Sequence, residues 1–126
     1  MTVIGKEKAE ALFKTMAKRL GIDAEIRDGA KFAAAAESAY ARGEDGKELF
    51  PSPEEKAAKL AFEFCRSNCC TRGGRSMGMF LALVTLEASG LEVDAACEEI
   101  SECGFAISAR RMNYDETLAW ICRHAR

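Results

Sequence analysis

The stretch Arg75-Ser76-Met77-Gly78-Met79-Phe80-Leu81-Ala82-Leu83-Val84-Thr85-Leu86-Glu87-Ala88-Ser89 carries apolar side chains on nearly all sides of a helical wheel. A helix that is apolar all round has no face to give to water, so it belongs at the centre of a fold with other elements packed about it. Gly90 follows as the natural C′ residue, where a left-handed backbone ends a helix. Two glycines, Gly73 and Gly74, stand just before it.

Upstream, Ser52-Pro53-Glu54-Glu55 has the strongest start signal in the chain. It sets a hydroxyl at the N-cap, proline at N1 and glutamate at N3, a capping box. Ala57, Leu60, Ala61, Phe64 and Cys65 then recur at the spacing of one buried face. This helix is expected to end near Asn68, because Cys69 to Gly74 carries no periodicity. Before it, Gly43-Glu44-Asp45-Gly46-Lys47-Glu48 reads as an exposed loop or a short hairpin. Asp28 is placed to cap a helix through the alanine-rich Phe32 to Ala41, with Gly43 ending it. A first helix over Lys6 to Leu20 sets Ala9, Leu12, Phe13, Met16 and Leu20 on one face, and Gly21 stops it.

Downstream, Asp94 is expected to cap a helix through Cys97 and Ile100 toward Phe105 and Ile107. Asn113-Tyr114-Asp115-Glu116 repeats the capping logic and opens a last helix, with Leu118 and Ile121 facing inward. Arg123, His124 and Arg126 lie at its negative end, where cations are favourable. No internal repeat and no convincing strand alternation interrupts this pattern. The fold class is therefore all-α.

The 126 residues suit one domain over 1–126, long enough to bury a single core, and an apolar fraction of 48% argues against general disorder. A formal charge of −2 provides no global reason to expect a nucleic-acid or anionic-membrane partner. The N-terminus turns charged at Lys6 before a signal peptide can form. The longest apolar run, Met77 to Leu86, is about half of the roughly 20 residues that cross a bilayer. A soluble, cytoplasmic protein is expected. Six cysteines would suggest three disulfides in a secreted chain, whereas a reducing compartment makes them small, mostly buried thiols.

The run Leu49-Phe50-Pro51-Ser52-Pro53-Glu54-Glu55-Lys56-Ala57-Ala58, its helix, a short glycine loop, the buried helix and then Ser89-Gly90-Leu91-Glu92-Val93 resemble the Doc-like branch of the Fic/Doc (death-on-curing) family. Met112-Asn113-Tyr114-Asp115-Glu116-Thr117-Leu118-Ala119-Trp120-Ile121 is similar to the family's closing helix, and Ile26-Arg27-Asp28-Gly29 to its opening. The resemblance covers residue 26 to the C-terminus, and the order and spacing of the motifs carry it. It implies a helical bundle in which about five helices wrap the central one.

The family's signature, H-x-F-x-D-G-N-x-R, lies between the third helix and the buried one. The resemblance implies a histidine base, an acid that holds Mg²⁺, and a glycine, asparagine and arginine that cradle nucleotide phosphates. Such residues suit a transfer that needs positioning, charge neutralisation and an activated hydroxyl. Here the loop is Asn68-Cys69-Cys70-Thr71-Arg72-Gly73-Gly74-Arg75-Ser76, and only Gly73 is kept. Asn68 stands for the base, Cys70 for the buried aromatic, Arg72 for the acid, Gly74 for the asparagine and Ser76 for the arginine. A carboxamide cannot take a proton near neutral pH, and a guanidinium reverses the charge that a metal requires. No catalytic residue is intact, no metal site is expected, and the single histidine, His124, lies at the far terminus.

The expectation is therefore a pseudoenzyme that acts by binding a partner protein or a nucleotide. The alternative is an active toxin that moves AMP or phosphate from ATP to a protein hydroxyl with an altered loop. Two readings of the loop stand side by side. Arg72, Gly73, Gly74, Arg75 and Ser76 either hold ATP or another phosphate-bearing ligand without Mg²⁺, or form a tight turn with solvated arginines. The resemblance implies an antitoxin-like partner or a translation-factor target, docked in the family by a flap where Gly43 to Lys47 lies here. Cys65, Cys69 and Cys70 match no common zinc spacing, and Cys97 and Cys103 are no more specific. A redox role for Cys69 or Cys70 is the minority reading.

Overall fold

The computed structural model describes residues 6–21, 25–67 and 69–126. Among these are six α-helices: α1 (Lys6–Leu20), α2 (Gly29–Glu37), α3 (Pro53–Arg66), α4 (Gly74–Ala88), α5 (Cys97–Ser108) and α6 (Tyr114–His124). A two-stranded antiparallel sheet joins β1 (Glu25–Ile26) to β2 (Cys70–Arg72). The fold is all-α, as the periodicity requires.

Helices α3 and α4 form the central pair, and α4 faces a separate apolar cluster on each side. Met77 and Leu81 of α4 join Leu60 and Phe64 of α3 against α1 and α2. There Phe13, Phe32 and Phe64 form an edge-to-face chain with centroid spacings of 5.5 and 5.2 Å, the geometry that ring quadrupoles favour. Met79, Ala82 and Leu86 face the other way, onto Ala57, Ala61 and Cys65 of α3 with Ile107 of α5 and Trp120 and Ile121 of α6. The all-round apolar pattern of α4 is thus the sum of two half-faces. Gly78 sets the closeness of α3 and α4. A Cβ there would lie 3.0 Å from the Phe64 Cβ, 3.1 Å from the Ala61 carbonyl oxygen and 3.1 Å from the Cys65 Sγ.

Local sequence signals account for most helix ends. At α3, Ser52 Oγ accepts from the Glu55 N–H at 3.1 Å and the Glu55 carboxylate accepts from the Ser52 N–H at 3.4 Å. Asn113 and Glu116 repeat the box at α6, at 2.8 and 3.1 Å. Asp28 Oδ1 takes the N–H groups of Ala30 and Lys31 at α2. After α4, the Leu91 N–H returns to the Leu86 carbonyl and the Gly90 N–H to Glu87, a Schellman closure.

Four expectations need correction. The second helix stops at Glu37 and tightens into a 3-10 turn over Ser38–Tyr40, well before Gly43. The third ends at Arg66 with Ser67 already extended; Asn68 lies outside the described residues, as does the inward-facing role expected of the Leu20 side chain. Asp94 does not cap α5, whose N-cap is Ala96, with the Glu99 carboxylate accepting from the Ala96 N–H at 3.3 Å. Instead Asp94 donates its N–H to the His124 carbonyl at 2.7 Å, and Glu92 and Arg126 exchange backbone hydrogen bonds, pinning the C-terminus antiparallel to residues 92–94. Finally, β1 and β2 are too short for an alternation to register. Their pairing is a tertiary event between distant segments.

The polar segment before α3 is a hairpin in which Arg42 bridges Glu48 and the Gly43 N–H donates to Lys47 at 2.9 Å. Lys56 of α3, buried, sends its ammonium group to the Phe50 carbonyl and to the Glu48 carboxylate, the latter at 3.1 Å. A buried ammonium group without such acceptors would be strongly unfavourable, so the lysine and the hairpin hold one another in place. No helix of the described residues is long and apolar enough to cross a membrane.

Candidate functional site

The loop before α4 is built on three anchors. The Cys69 carbonyl, on a fully buried residue, accepts the N–H groups of Arg27 and Asp28 at 2.7 and 3.0 Å. This ties the loop to the start of α2. The Cys69 N–H donates to Ser67 Oγ at 3.2 Å, a local turn that leads the chain off α3. The β1–β2 pairing then sets Arg72 opposite Glu25, with the guanidinium 3.8 Å from the carboxylate. Both side chains are more than half exposed, so the pair contributes roughly 0–1 kcal/mol and holds orientation more than stability.

Gly73 is the N-cap of α4 at φ +87°, ψ 2°. A side chain in this left-handed region costs roughly 1–2 kcal/mol, which accounts for a glycine at this position. The cap makes no side-chain hydrogen bond. Helix geometry leaves the N–H groups of Gly74, Arg75 and Ser76 without partners inside α4, while the Met77 N–H closes the first turn on the Gly73 carbonyl at 2.9 Å. Gly74 is less constrained: a Cβ would lie 3.4 Å from the Phe64 carbonyl oxygen and 3.6 Å from the Cys70 Cβ, at ordinary contact.

These residues surround a polar cleft of about 390 Å³, walled by Ser67, Cys70, Thr71, Arg72, Gly73 and Gly74, with Arg75 and Ser108 at its α5 side. Among the described residues its lining includes two arginines and no carboxylate or imidazole. Arg75 turns its guanidinium to the ring of the half-exposed Phe105, 5.6 Å from the centroid, a cation–π contact. Of the residues the sequence grouped together, Cys70, Arg72, Gly73, Gly74 and Arg75 meet at this cleft. Ser76 does not. It lines a separate apolar groove between α4 and α5, with Met79, Phe80, Leu83 and Ile100. Asn68 lies outside the described residues.

His124 is held elsewhere. Its ring stacks on Trp120 at 4.1 Å, Nδ1 lies 2.7 Å from the Trp120 carbonyl oxygen, and Nε2 is 3.6 Å from the Glu99 carboxylate. Glu99 and Ser108 stand near opposite ends of α5, nine residues apart, or about 13 Å along the axis. The histidine therefore anchors α6 to the start of α5 and is no part of the cleft.

All six cysteines are free thiols. Cys65, Cys69 and Cys103 are buried, Cys70 is half-buried, and Cys97 and Cys122 are exposed, so the expectation of mostly buried thiols holds for half of the set. Burial pushes Cys65 up to about 12 and Cys103 up to about 11. Cys69 goes the other way, down to about 7, chiefly because the Cys70 thiol hydrogen-bonds to it; Cys70 rises in consequence. The two sulfur atoms are 3.5 Å apart, a contact that two adjacent cysteines in the sequence only hint at. Among the described residues no three His, Cys, Asp or Glu side chains come together as metal ligands would. No known protein family matches this chain, and no curated protein matches it.

Proposed function

We propose that this chain is a pseudoenzyme of Fic/Doc type, which binds a phosphate-bearing ligand such as ATP at the loop before α4, without Mg²⁺ and without turnover, and acts through a protein partner. The observation that carries this reading is the start of α4. A helix N-terminus with no side-chain cap opens into a polar cleft between Arg72 and Arg75. Backbone N–H groups at the positive end of the helix dipole suit an anion, and two guanidinium groups supply charge-assisted hydrogen bonds to phosphate oxygens. Among the described residues the cleft's lining has no imidazole or carboxylate to serve as base toward a hydroxyl or to hold a metal beside the phosphates. That composition favours retention of a ligand over transfer.

The partner follows from the resemblance: an antitoxin-like protein or a translation-factor target. The hairpin bridged by Arg42 and Glu48 is its docking element, with Leu49 exposed beside it.

Equilibrium titration with ATP, ADP and inorganic phosphate, with and without Mg²⁺, tests the reading. Binding is expected without Mg²⁺, and replacing Arg72 or Arg75 with alanine is expected to weaken it about tenfold each, the loss of one charge-assisted contact. Affinity that ignores both substitutions would remove the anion site. Incubation in cell lysate with ATP labelled on the α- or γ-phosphate, beside an active Doc-type control, tests turnover. Label on a protein would establish transfer of AMP or phosphate and overturn the non-catalytic reading.

A further inference from the structure

Beyond that reading, the neighbouring thiols carry a chemistry of their own. Cys69 and Cys70 place their sulfur atoms 3.5 Å apart at the wall of the polar cleft. Cys69 is fully buried, and Cys70 is half-buried and lines the cleft. The backbone around them is anchored on both sides, by the Arg27 and Asp28 N–H groups on the Cys69 carbonyl and by the pairing of Cys70 with Ile26. These backbone anchors fix the positions of the two residues, whose sulfurs then need only side-chain rotation to meet. Cys65 and Cys103 are buried in the apolar cluster between α3, α4, α5 and α6; Cys65 also borders the cleft, but burial strongly disfavours a thiolate at both.

We propose that Cys69 and Cys70 form an oxidisable vicinal dithiol, which a peroxide closes to a disulfide and a small thiol reopens. The pair shares one proton across the S···S contact. Ionisation puts the charge on Cys69, stabilised by the Cys70 S–H, and transfer of that proton to Cys69 moves the charge to the sulfur in the cleft. The Cys70 thiolate attacks one peroxide oxygen, the O–O bond breaks, and hydroxide leaves to take up the proton released at ionisation. Cys70 is then a sulfenic acid. The Cys69 sulfur attacks the Cys70 sulfur, the S–O bond breaks, and the departing hydroxide takes the Cys69 proton. Two thiols have lost two electrons and two protons, and the peroxide has become two waters. The exposed thiols Cys97 and Cys122 have no such neighbour among the described residues and stop at the sulfenic acid or cross-link between molecules.

The test uses the full chain carrying C97S and C122S, which removes the two exposed thiols and leaves the buried ones. The protein is exposed to hydrogen peroxide, unfolded, alkylated and digested with trypsin. The tryptic peptide 67–72 holds both cysteines and no other. It is expected to lose two hydrogens and both alkylation sites, while Cys65 and Cys103 remain alkylated. Dithiothreitol before alkylation is expected to restore both sites. In the C69S variant, the sulfenic acid on Cys70 is expected to persist and to be trapped by dimedone. Full alkylation of peptide 67–72 after peroxide, oxidation of Cys65 and Cys103 at the same rate, or conversion to sulfinic acid without the disulfide would each overturn the proposal.

Discussion

Helices α3 and α4 pack side by side and begin in opposite ways. At α3, Ser52 and Glu55 satisfy each other's backbone, Pro53 removes one N–H outright, and the Tyr114 hydroxyl donates to the Glu55 carbonyl at 3.3 Å. Lys56 then ties the first turn to the preceding hairpin. At α4, Gly73 takes a left-handed backbone, no side chain caps the first turn, and two arginines stand at the rim of a cleft. A helix that satisfies its own end is a structural element. One that leaves its end open has N–H groups to offer to something outside the chain. The difference separates the scaffold from the candidate site within one helix pair.

The largest effect is expected at the sealed end. Lys56→Met keeps the length of the side chain and removes the ammonium group, leaving the Phe50 carbonyl without its donor. We expect a loss of about 2 kcal/mol, read as a lower urea midpoint, with faster proteolysis in the 42–49 hairpin. An unchanged midpoint would mean that the hairpin is held by something other than this lysine. At the open end, Gly73→Ala should cost roughly 1–2 kcal/mol from backbone strain alone, while Gly74→Ala should be within about 0.5 kcal/mol of the parent in thermal unfolding. Equal costs at the two glycines would remove the left-handed cap as the feature that distinguishes them.

Ser52→Ala opens the sealed end and is expected to cost about 1 kcal/mol, measured by chemical denaturation. This substitution is expected to leave phosphate binding unaltered, because it lies at a helix end separate from the cleft before α4. The effect confined to the narrowest conditions is in the alkaline pH profile. Burial, with Glu55 and Asp115 nearby, pushes the Tyr114 hydroxyl from 10.0 up to about 12. The folded chain therefore holds a proton that the unfolded chain releases. Stability from this group is fully present below pH 10 and is lost as pH rises toward 12. Tyr114→Phe should flatten that part of the profile, followed by unfolding at stepped pH.

How much of this was legible in the chain depends on the range of the interaction. Ser52 with Glu55, Asn113 with Glu116, and Asp28 with the two residues that follow Gly29 lie within one helical turn of their partners. Their sequence spacing is nearly their spatial spacing. The Asp94 expectation failed because that aspartate was claimed by a distant segment, the C-terminal residues, before it reached a helix end. The end of α2 was misplaced because alanines continue past Glu37 with no local stop. At the loop, the residue types were readable, but their grouping was not. Arg75 and Ser76 are adjacent in sequence, yet Arg75 borders both depressions while Ser76 reaches only the apolar groove, since a helix turns successive side chains by about 100°.

The sequence by itself determined the helical class, the central place of α4 and the caps that start α2, α3 and α6, because each rests on contacts within a few residues. It also determined that the loop before α4 carries arginines, glycines and thiols. Only the tertiary structure decided what those residues face. The pairing of β1 with β2 sets Glu25 against Arg72, the start of α2 holds Cys69, and α5 brings Phe105 to Arg75. Each joins segments more than 25 positions apart in the chain, and the free energy that holds such segments together comes from the two apolar clusters about α3 and α4, not from any local signal.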